Sequence, residues 1–301
     1  MAIKVGINGF GRIGRLVFRQ LMESEDLEVA AVNDIAPLDN LAYLLRHDSA
    51  QRPPDAAISS TGDALRFNDA EIRFTSERDP ADLPWSELGV EIAIEATGLF
   101  RSRADASKHL EAGARRVVIT APAKEPDITI CMGVNHERFD AGEHRLLSCA
   151  SCTTNCLAPV AKVLNDSFGI VRGFLTTVHA YTSSQAIVDS PASKWRRGRA
   201  GAVNMVPTTT GAALATTEVI PELEGRLDGL AIRVPVAVGS IVDFVARTER
   251  ALDVESVNNA LREAAGSAPM RGILGVSDDE LVSSDIIGCR YSSLVDAPST
   301  M

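Results

Sequence analysis

Short apolar runs alternate with amphipathic ones through the first third of the chain. Ile3 to Asn8 is apolar almost throughout, as a buried strand should be. Ile13, Leu16, Val17 and Leu21 then recur at helical spacing, and Leu27 to Val32 is apolar again. This pattern predicts a strand, a helix over 12–24 and a second strand, a βαβ unit that implies a parallel sheet and a right-handed crossover. A helical segment over 38–45 follows, then a polar stretch from Arg52 to Asp63 with Pro53 and Pro54. Leu65-Arg66-Phe67 and Ile72-Arg73-Phe74 alternate across Asn68-Asp69, which predicts a hairpin at the sheet's edge. Further strands are expected over 91–96, 116–120 and 128–133, with a helix over 103–111.

Beyond Cys156 the rhythm changes. Longer strand patterns lie over 173–179, 229–234 and 240–247, with helical patterns over 210–219 and 254–265. The expected fold is therefore α/β. A doubly wound Rossmann-type domain over 1–151 binds a dinucleotide, and an α+β catalytic domain with a mostly antiparallel sheet, covered by helices on one face, spans 152–301. The stretch from Thr182 to Asn204 lacks periodicity, and a loop that long inside a compact domain usually serves function or an interface.

Composition narrows the function classes. The chain has 301 residues, 45% hydrophobic and 23% charged, with a formal net charge of -10. That balance is globular, and its negative sign argues against a general nucleic-acid binder. Met1 leads directly into strand-like sequence without an apolar leader, and no run is long and apolar enough to span a bilayer, so a cytoplasmic protein is expected. Five cysteines in a reducing compartment suggest thiols and not a disulfide framework.

Gly9-Phe10-Gly11-Arg12-Ile13-Gly14 joins the first strand to the first helix. Its glycines permit a tight turn and close approach of a pyrophosphate to the backbone, and the helix N-terminus attracts the anion. Asp34 ends the second strand, 20 residues after Gly14, where a carboxylate can accept hydrogen bonds from ribose hydroxyls and repel a 2′-phosphate. Asp34 read alone could equally be a turn residue or a helix cap.

Ser151-Cys152-Thr153-Thr154-Asn155-Cys156 and His179-Ala180-Tyr181-Thr182 carry the candidate chemistry, a thiol nucleophile and an imidazole base. Leu157, Val160, Val163 and Leu164 have helical spacing, so Cys152 falls near a helix N-terminus that favours thiolate. Pro159 implies that the helix starts nearer Leu157 or is bent. Cys149-x-x-Cys152 could suggest zinc, but no second ligand pair at metal spacing exists, so no metal is expected. Taken singly, Cys152 could be a buried structural thiol, His179 an edge residue, and Arg197 and Arg233 solvated charges.

Together these residues resemble phosphorylating glyceraldehyde-3-phosphate dehydrogenase from Lys4 to about Asp296. Val5 to Arg15, Glu95-Ala96-Thr97-Gly98, Gly133-Val134-Asn135, Ser151 to Cys156, His179 to Thr182, Arg196 to Gly211 and Arg233-Val234-Pro235 match in order. The resemblance implies oxidation of glyceraldehyde 3-phosphate by NAD and inorganic phosphate to 1,3-bisphosphoglycerate, in glycolysis and gluconeogenesis. It assigns Cys152 as nucleophile and His179 as base. It gives Thr182 and Arg233 to the substrate phosphate, and Ser151, Thr153, Thr210, Gly211 and Arg197 to inorganic phosphate. Gly9, Phe10, Gly11, Arg12, Ile13, Gly14, Asp34, Thr97, Phe100 and Thr120 would hold the cofactor. The resemblance also implies a homotetramer through the 182–204 loop.

The chain departs from the family at several positions. Ser184 stands where many members carry Asp, and Ser190-Pro191 leaves NADP open beside NAD. The family continues past Tyr291-Ser292-Ser293-Leu294-Val295-Asp296 into a strand and helix bearing an Asn and a Tyr near the nicotinamide, so the chain is expected to be a piece of a longer protein. The competing readings are erythrose-4-phosphate dehydrogenase and a noncatalytic NAD-binding protein.

Overall fold

A computed structural model describes residues 2–301. The chain forms two compact units. One comprises the chain up to Ile130 with Arg138–Ala150, and the other Cys131–Glu137 with Ser151–Met301.

In the first unit the βαβ pattern yields β1 (Ile3–Asn8), α1 (Arg12–Leu21) and β2 (Leu27–Asn33), and α2 (Leu38–Arg46) follows. β1 and β2 pair in parallel, and the core beneath them gathers Val5, Ile7, Phe18, Leu41 and Leu45. The stretch read only as polar contains β3 (Ile58–Thr61), followed by the hairpin β4 (Ala64–Phe67) and β5 (Ala70–Thr75). Asn68 turns that hairpin at φ +53°, a left-handed conformation that Asn tolerates. The unit is completed by α3 (Trp85–Leu88), β6 (Ile92–Glu95), α4 (Arg103–Glu111), β7 (Arg116–Ile119), β8 (Ile128–Thr129) and β9 (Leu146–Ser148). The nine strands lie in the order β3-β4-β5-β2-β1-β6-β7-β9-β8. β1 sits centrally, flanked in parallel by β2 and β6. The order therefore reverses around β1, and the C-terminal ends of these strands mark the crevice where open α/β sheets bind ligands.

The second unit opens with α5 (Cys152–Phe168) and continues through β10 (Ile170–Ala180), β11 (Val206–Thr208), α6 (Ala212–Val219), β12 (Leu227–Val234), β13 (Ser240–Thr248) and α7 (Val254–Gly266). Its main sheet runs β11-β12-β10-β13 and is mostly antiparallel, with β10 and β12 the parallel pair. Contacts with α5 and α6 cover one face, while Phe174, Leu230, Ile241 and Val245 stay exposed. Two short strands, β14 (Leu274–Ser277) and β15 (Ser293–Asp296), form a separate parallel pair that the sequence pattern does not reveal.

Pro159 does not displace the start of α5, which begins at Cys152 and runs through the proline. A proline there removes the bond to the Asn155 carbonyl, about 3 kcal/mol against the helix. Burial of Leu157, Ala158, Ala161, Val163 and Leu164 offsets that cost. Among the described residues no helix is long and apolar enough to cross a membrane.

Candidate functional site

The first site is the turn from β1 into α1. Gly9 has φ +93°, and a Cβ there would lie 2.6 Å from the Thr97 amide nitrogen. A Cβ on Gly14 would lie 2.0 Å from the Gly9 carbonyl oxygen, while one on Gly11 would meet no atom within 4 Å. Two glycines are thus required by close packing, and the third opens free space over the N-terminus of α1, the arrangement a pyrophosphate needs. Asp34 is not a helix cap, since Pro37 occupies that position before α2. Its carboxylate instead accepts the Phe10 amide at 2.7 Å and the Ala36 amide at 2.9 Å. Each oxygen retains acceptor capacity for a ribose hydroxyl. These residues fit a dinucleotide.

The side chains of the glycine turn divide in an unexpected way. Phe10 is fully buried and packs edge-on against Phe18 with ring centroids 5.3 Å apart, so only its backbone faces the turn. Ile13, placed on the buried stripe by its spacing, is 50% exposed, and the inward face is Gly14, Phe18 and Leu21. Arg12 is exposed, and Phe100, Thr97 and Thr120 are partly exposed. The Thr97 hydroxyl accepts the Leu99 amide and donates to Glu95. Thr120 donates both its amide and its hydroxyl to the Glu95 carbonyl.

The second site surrounds the thiol. Ala150 is held at φ +56°, a strained conformation for a residue with a Cβ, and the chain then enters α5. Ser151 caps that helix, its Oγ accepting the Thr154 amide at 3.0 Å, which leaves Cys152 as the first helical residue. Strand register supplies the partners. His179 of β10 lies beside Arg233 of β12, and Arg233 lies opposite Val206 of β11.

The Cys152 Sγ is 3.3 Å from His179 Nε2. His179 Nδ1 is 2.6 Å from the Ala180 carbonyl oxygen, and Arg233 reaches both that oxygen and Nδ1 at 2.9 Å. A guanidinium can only donate, so an Nδ1–H given to the carbonyl directs the arginine bond to the same oxygen. Nε2 is then the nitrogen that exchanges a proton with sulfur. Burial pushes the Cys152 thiol up, but hydrogen bonds and charge from His179 and bonds from the Thr153 hydroxyl and amide outweigh it, so the thiol lies below its ordinary value. Desolvation moves Cys149 and Cys156 upward. Chemistry therefore separates Cys152 from both neighbours.

Of the expected anion-binding residues, Thr182 and Arg197 are joined through Ser184, the position where many family members carry Asp. Ser184 Oγ sits 2.9 Å from Thr182 Oγ1 and accepts from Arg197 at 3.3 Å, so it joins the residues assigned to two different phosphates. Arg197 also donates to Thr208, and Thr210 Oγ1 accepts the Ala212 amide at the start of α6, with open space beside Gly211. Thr153 is nearly buried and engaged with the thiol. Arg233 is half-buried, its Nε has no hydrogen-bond partner among the described residues, and burial followed by the charge of Arg197 lowers its affinity for its proton. Two guanidiniums brought together with an unused donor suit an anion.

Comparison with known proteins decides the family. The profile described as "Glyceraldehyde 3-phosphate dehydrogenase, NAD binding domain" matches residues 3–103, and "Glyceraldehyde 3-phosphate dehydrogenase, C-terminal domain" matches residues 151–301. The chain belongs to the glyceraldehyde-3-phosphate dehydrogenase family. It is 55% identical to "Glyceraldehyde-3-phosphate dehydrogenase 1" of Bacillus subtilis (strain 168) over 301 residues, covering all of this chain and 90% of the relative. The glyceraldehyde-3-phosphate dehydrogenases of Priestia megaterium and Geobacillus stearothermophilus are each 54% identical with the same coverage. As in the family as a whole, an NAD-binding region precedes the catalytic one.

Proposed function

We propose that this chain oxidises glyceraldehyde 3-phosphate with NAD and inorganic phosphate to 1,3-bisphosphoglycerate, as a cytoplasmic enzyme of glycolysis and gluconeogenesis. The observation that carries this reading is Cys152 Sγ at 3.3 Å from His179 Nε2, on the first residue of α5, with its thiol shifted downward. The working division is dinucleotide binding in residues 1–151 and catalysis in residues 152–301, supported by the two compact units and the two profile matches.

His179 takes the thiol proton, the thiolate adds to the aldehyde carbon, and His179 returns that proton to the carbonyl oxygen as the hemithioacetal forms. Its oxygen is stabilised by the positive end of α5, with the Cys152 amide the proposed donor. His179 Nε2 then accepts the hydroxyl proton as the carbon is oxidised to a thioester. NAD, when bound, supplies the acceptor for the two electrons and the hydrogen that leave this carbon. A phosphate oxygen attacks the thioester, the carbon–sulfur bond breaks, and Cys152 leaves as the thiolate that His179 and the helix stabilise. Thr182 and Arg233 are assigned to the C3 phosphate and Ser151, Thr153, Thr210, Gly211 and Arg197 to inorganic phosphate, with Ser184 tying the two sets together. NADH formation from glyceraldehyde 3-phosphate should require phosphate and exceed that from erythrose 4-phosphate. A phosphate-independent rate would contradict the mechanism.

NAD is proposed in preference to NADP because Asp34 presents a carboxylate where a 2′-phosphate would sit. The glycine turn, exposed Ile13 and Arg12, Thr97, Phe100 and Thr120 complete the proposed seat. Two like charges about 4 Å apart in water repel by about 1 kcal/mol. Replacing Asp34 by Asn should therefore raise the NADP to NAD ratio of kcat/KM about fivefold. An unchanged ratio would show that Asp34 does not select the cofactor.

A homotetramer is proposed. Support comes from the exposed apolar face of Phe174, Leu230, Ile241 and Val245 and from Ile187, Val188 and Trp195 in the 182–204 loop, surfaces that a monomer would leave in water. Sedimentation should show four copies, and a stable monomer would contradict this.

A further inference from the structure

A buried polar assembly outside the thiol site centres on Glu95, the last residue of β6. Glu95 is 1% exposed, and among the described residues its side chain pairs with no lysine or arginine. Oε2 accepts Asn8 Nδ2 at 2.7 Å and lies 3.1 Å from His109 Nε2, while Oε1 accepts the Thr97 amide at 2.8 Å and the Thr97 hydroxyl. Trp85 Nε1 donates to His109 Nδ1 at 3.0 Å. Indole can only donate, so Nδ1 carries no proton and Nε2–H points at Glu95. The pair is a hydrogen bond with a neutral imidazole, and the carboxylate is held by four donors.

These donors belong to the cofactor seat or adjoin it. Asn8 precedes Gly9 and accepts Asn33 Nδ2 at 2.7 Å, and Asn33 precedes Asp34. Asn33 in turn accepts the Thr75 hydroxyl and the Glu77 amide. The Gly9 backbone lies against the Ala96–Thr97 backbone closely enough to exclude a Cβ. Thr97 and Thr120 both hang on Glu95, one through its side chain and the other through its carbonyl. Glu95 thus fixes the distance between the glycine turn, the Asp34 strand end and the two threonines.

We propose that Glu95 is a positioning residue for the dinucleotide, a buried acceptor hub that preorganises the seat through Thr97, Thr120 and Asn8 without touching the ligand. The inference rests on the reading of residues 9–14 and Asp34 as an NAD site. The isosteric E95Q keeps volume but replaces one acceptor oxygen by an NH2 group. Whichever way that amide turns, it faces two donors. The Asn8 amide cannot rotate to receive it, because its oxygen is already bound to Asn33.

Calorimetric titration with NAD should show E95Q binding about ten- to a hundredfold more weakly than the parent chain, the worth of one or two hydrogen bonds to a charged group. Its KM for NAD should rise, while the KM for glyceraldehyde 3-phosphate and the pH profile of Cys152 alkylation stay unchanged. A structural role alone would lower the melting temperature and leave the Kd of the folded fraction unmoved. H109Q, which keeps a donor toward Glu95 on a looser side chain, should weaken NAD about threefold or more and decides the matter if E95Q does not fold. A folded E95Q, or in its absence a folded H109Q, that binds NAD within twofold of the parent overturns the proposal. Failure of the parent chain itself to bind NAD would remove the seat, and with it both the functional reading and this inference.

Discussion

Replacing Cys152 by serine should lower phosphate-dependent NADH formation by about ten-thousand-fold or more, because the covalent intermediate has no other nucleophile of comparable reactivity. The hydroxyl is isosteric but stays protonated at neutral pH, and the acyl group would form an ester that phosphate cleaves poorly. The fold should be unaffected, since Ser151 and not Cys152 caps α5. NAD affinity measured by calorimetry should stay near that of the parent chain. The neighbouring thiols offer no substitute, as Cys149 and Cys156 are shifted upward by desolvation and stay protonated. A C152S variant with more than about a hundredth of parental activity would place the nucleophile elsewhere.

Replacing His179 by asparagine should reduce kcat by about a hundred- to ten-thousand-fold, the usual worth of a general base. A second consequence separates this role from simple positioning. Because His179 supplies the hydrogen bond and the charge that contribute most to bringing the Cys152 thiol down, its loss leaves desolvation, which raises the thiol, opposed by the Thr153 bonds and the helix N-terminus. The rate of iodoacetamide alkylation against pH should therefore turn over at higher pH in H179N than in the parent chain. The sign is fixed by geometry. A downward or absent displacement would mean that His179 does not stabilise the thiolate.

Much of the architecture is legible in the sequence because its signals are local. β1, α1 and β2 follow from apolar periodicity, and α4 begins and ends where the pattern places it. β3 and β9 escape notice because Ile58-Ser59-Ser60-Thr61 and Leu146-Leu147-Ser148 are too short to show a period, and only pairing with neighbouring strands makes them strands. β14 and β15 depend on contacts between distant segments in the same way. Pro159 argues locally against a helix that tertiary burial sustains.

The site is legible where chemistry is written in residue type and hidden where it depends on partners. A glycine turn, a strand-end aspartate and a thiol with a histidine can be seen in one dimension. The Ser184 bridge between Thr182 and Arg197 cannot, because it needs the fold of the 182–204 loop. Glu95 is visible only as part of a matching Glu-Ala-Thr-Gly run. Its role emerges when β1, β2 and β6 bring Asn8, Asn33 and Glu95 together at one end of the sheet. Phe10 illustrates the reverse, a residue in the right segment whose ring belongs to the core.

In the proposed mechanism Cys152 carries a covalent thioester that phosphate releases. Intact-mass and peptide analysis of the chain mixed with NAD and glyceraldehyde 3-phosphate, without phosphate, should find one 3-phosphoglyceroyl group on the peptide containing Cys152, formed with one equivalent of NADH and lost when phosphate is added. NADH formation without an adduct, or an adduct confined to Cys149 or Cys156, would contradict the account.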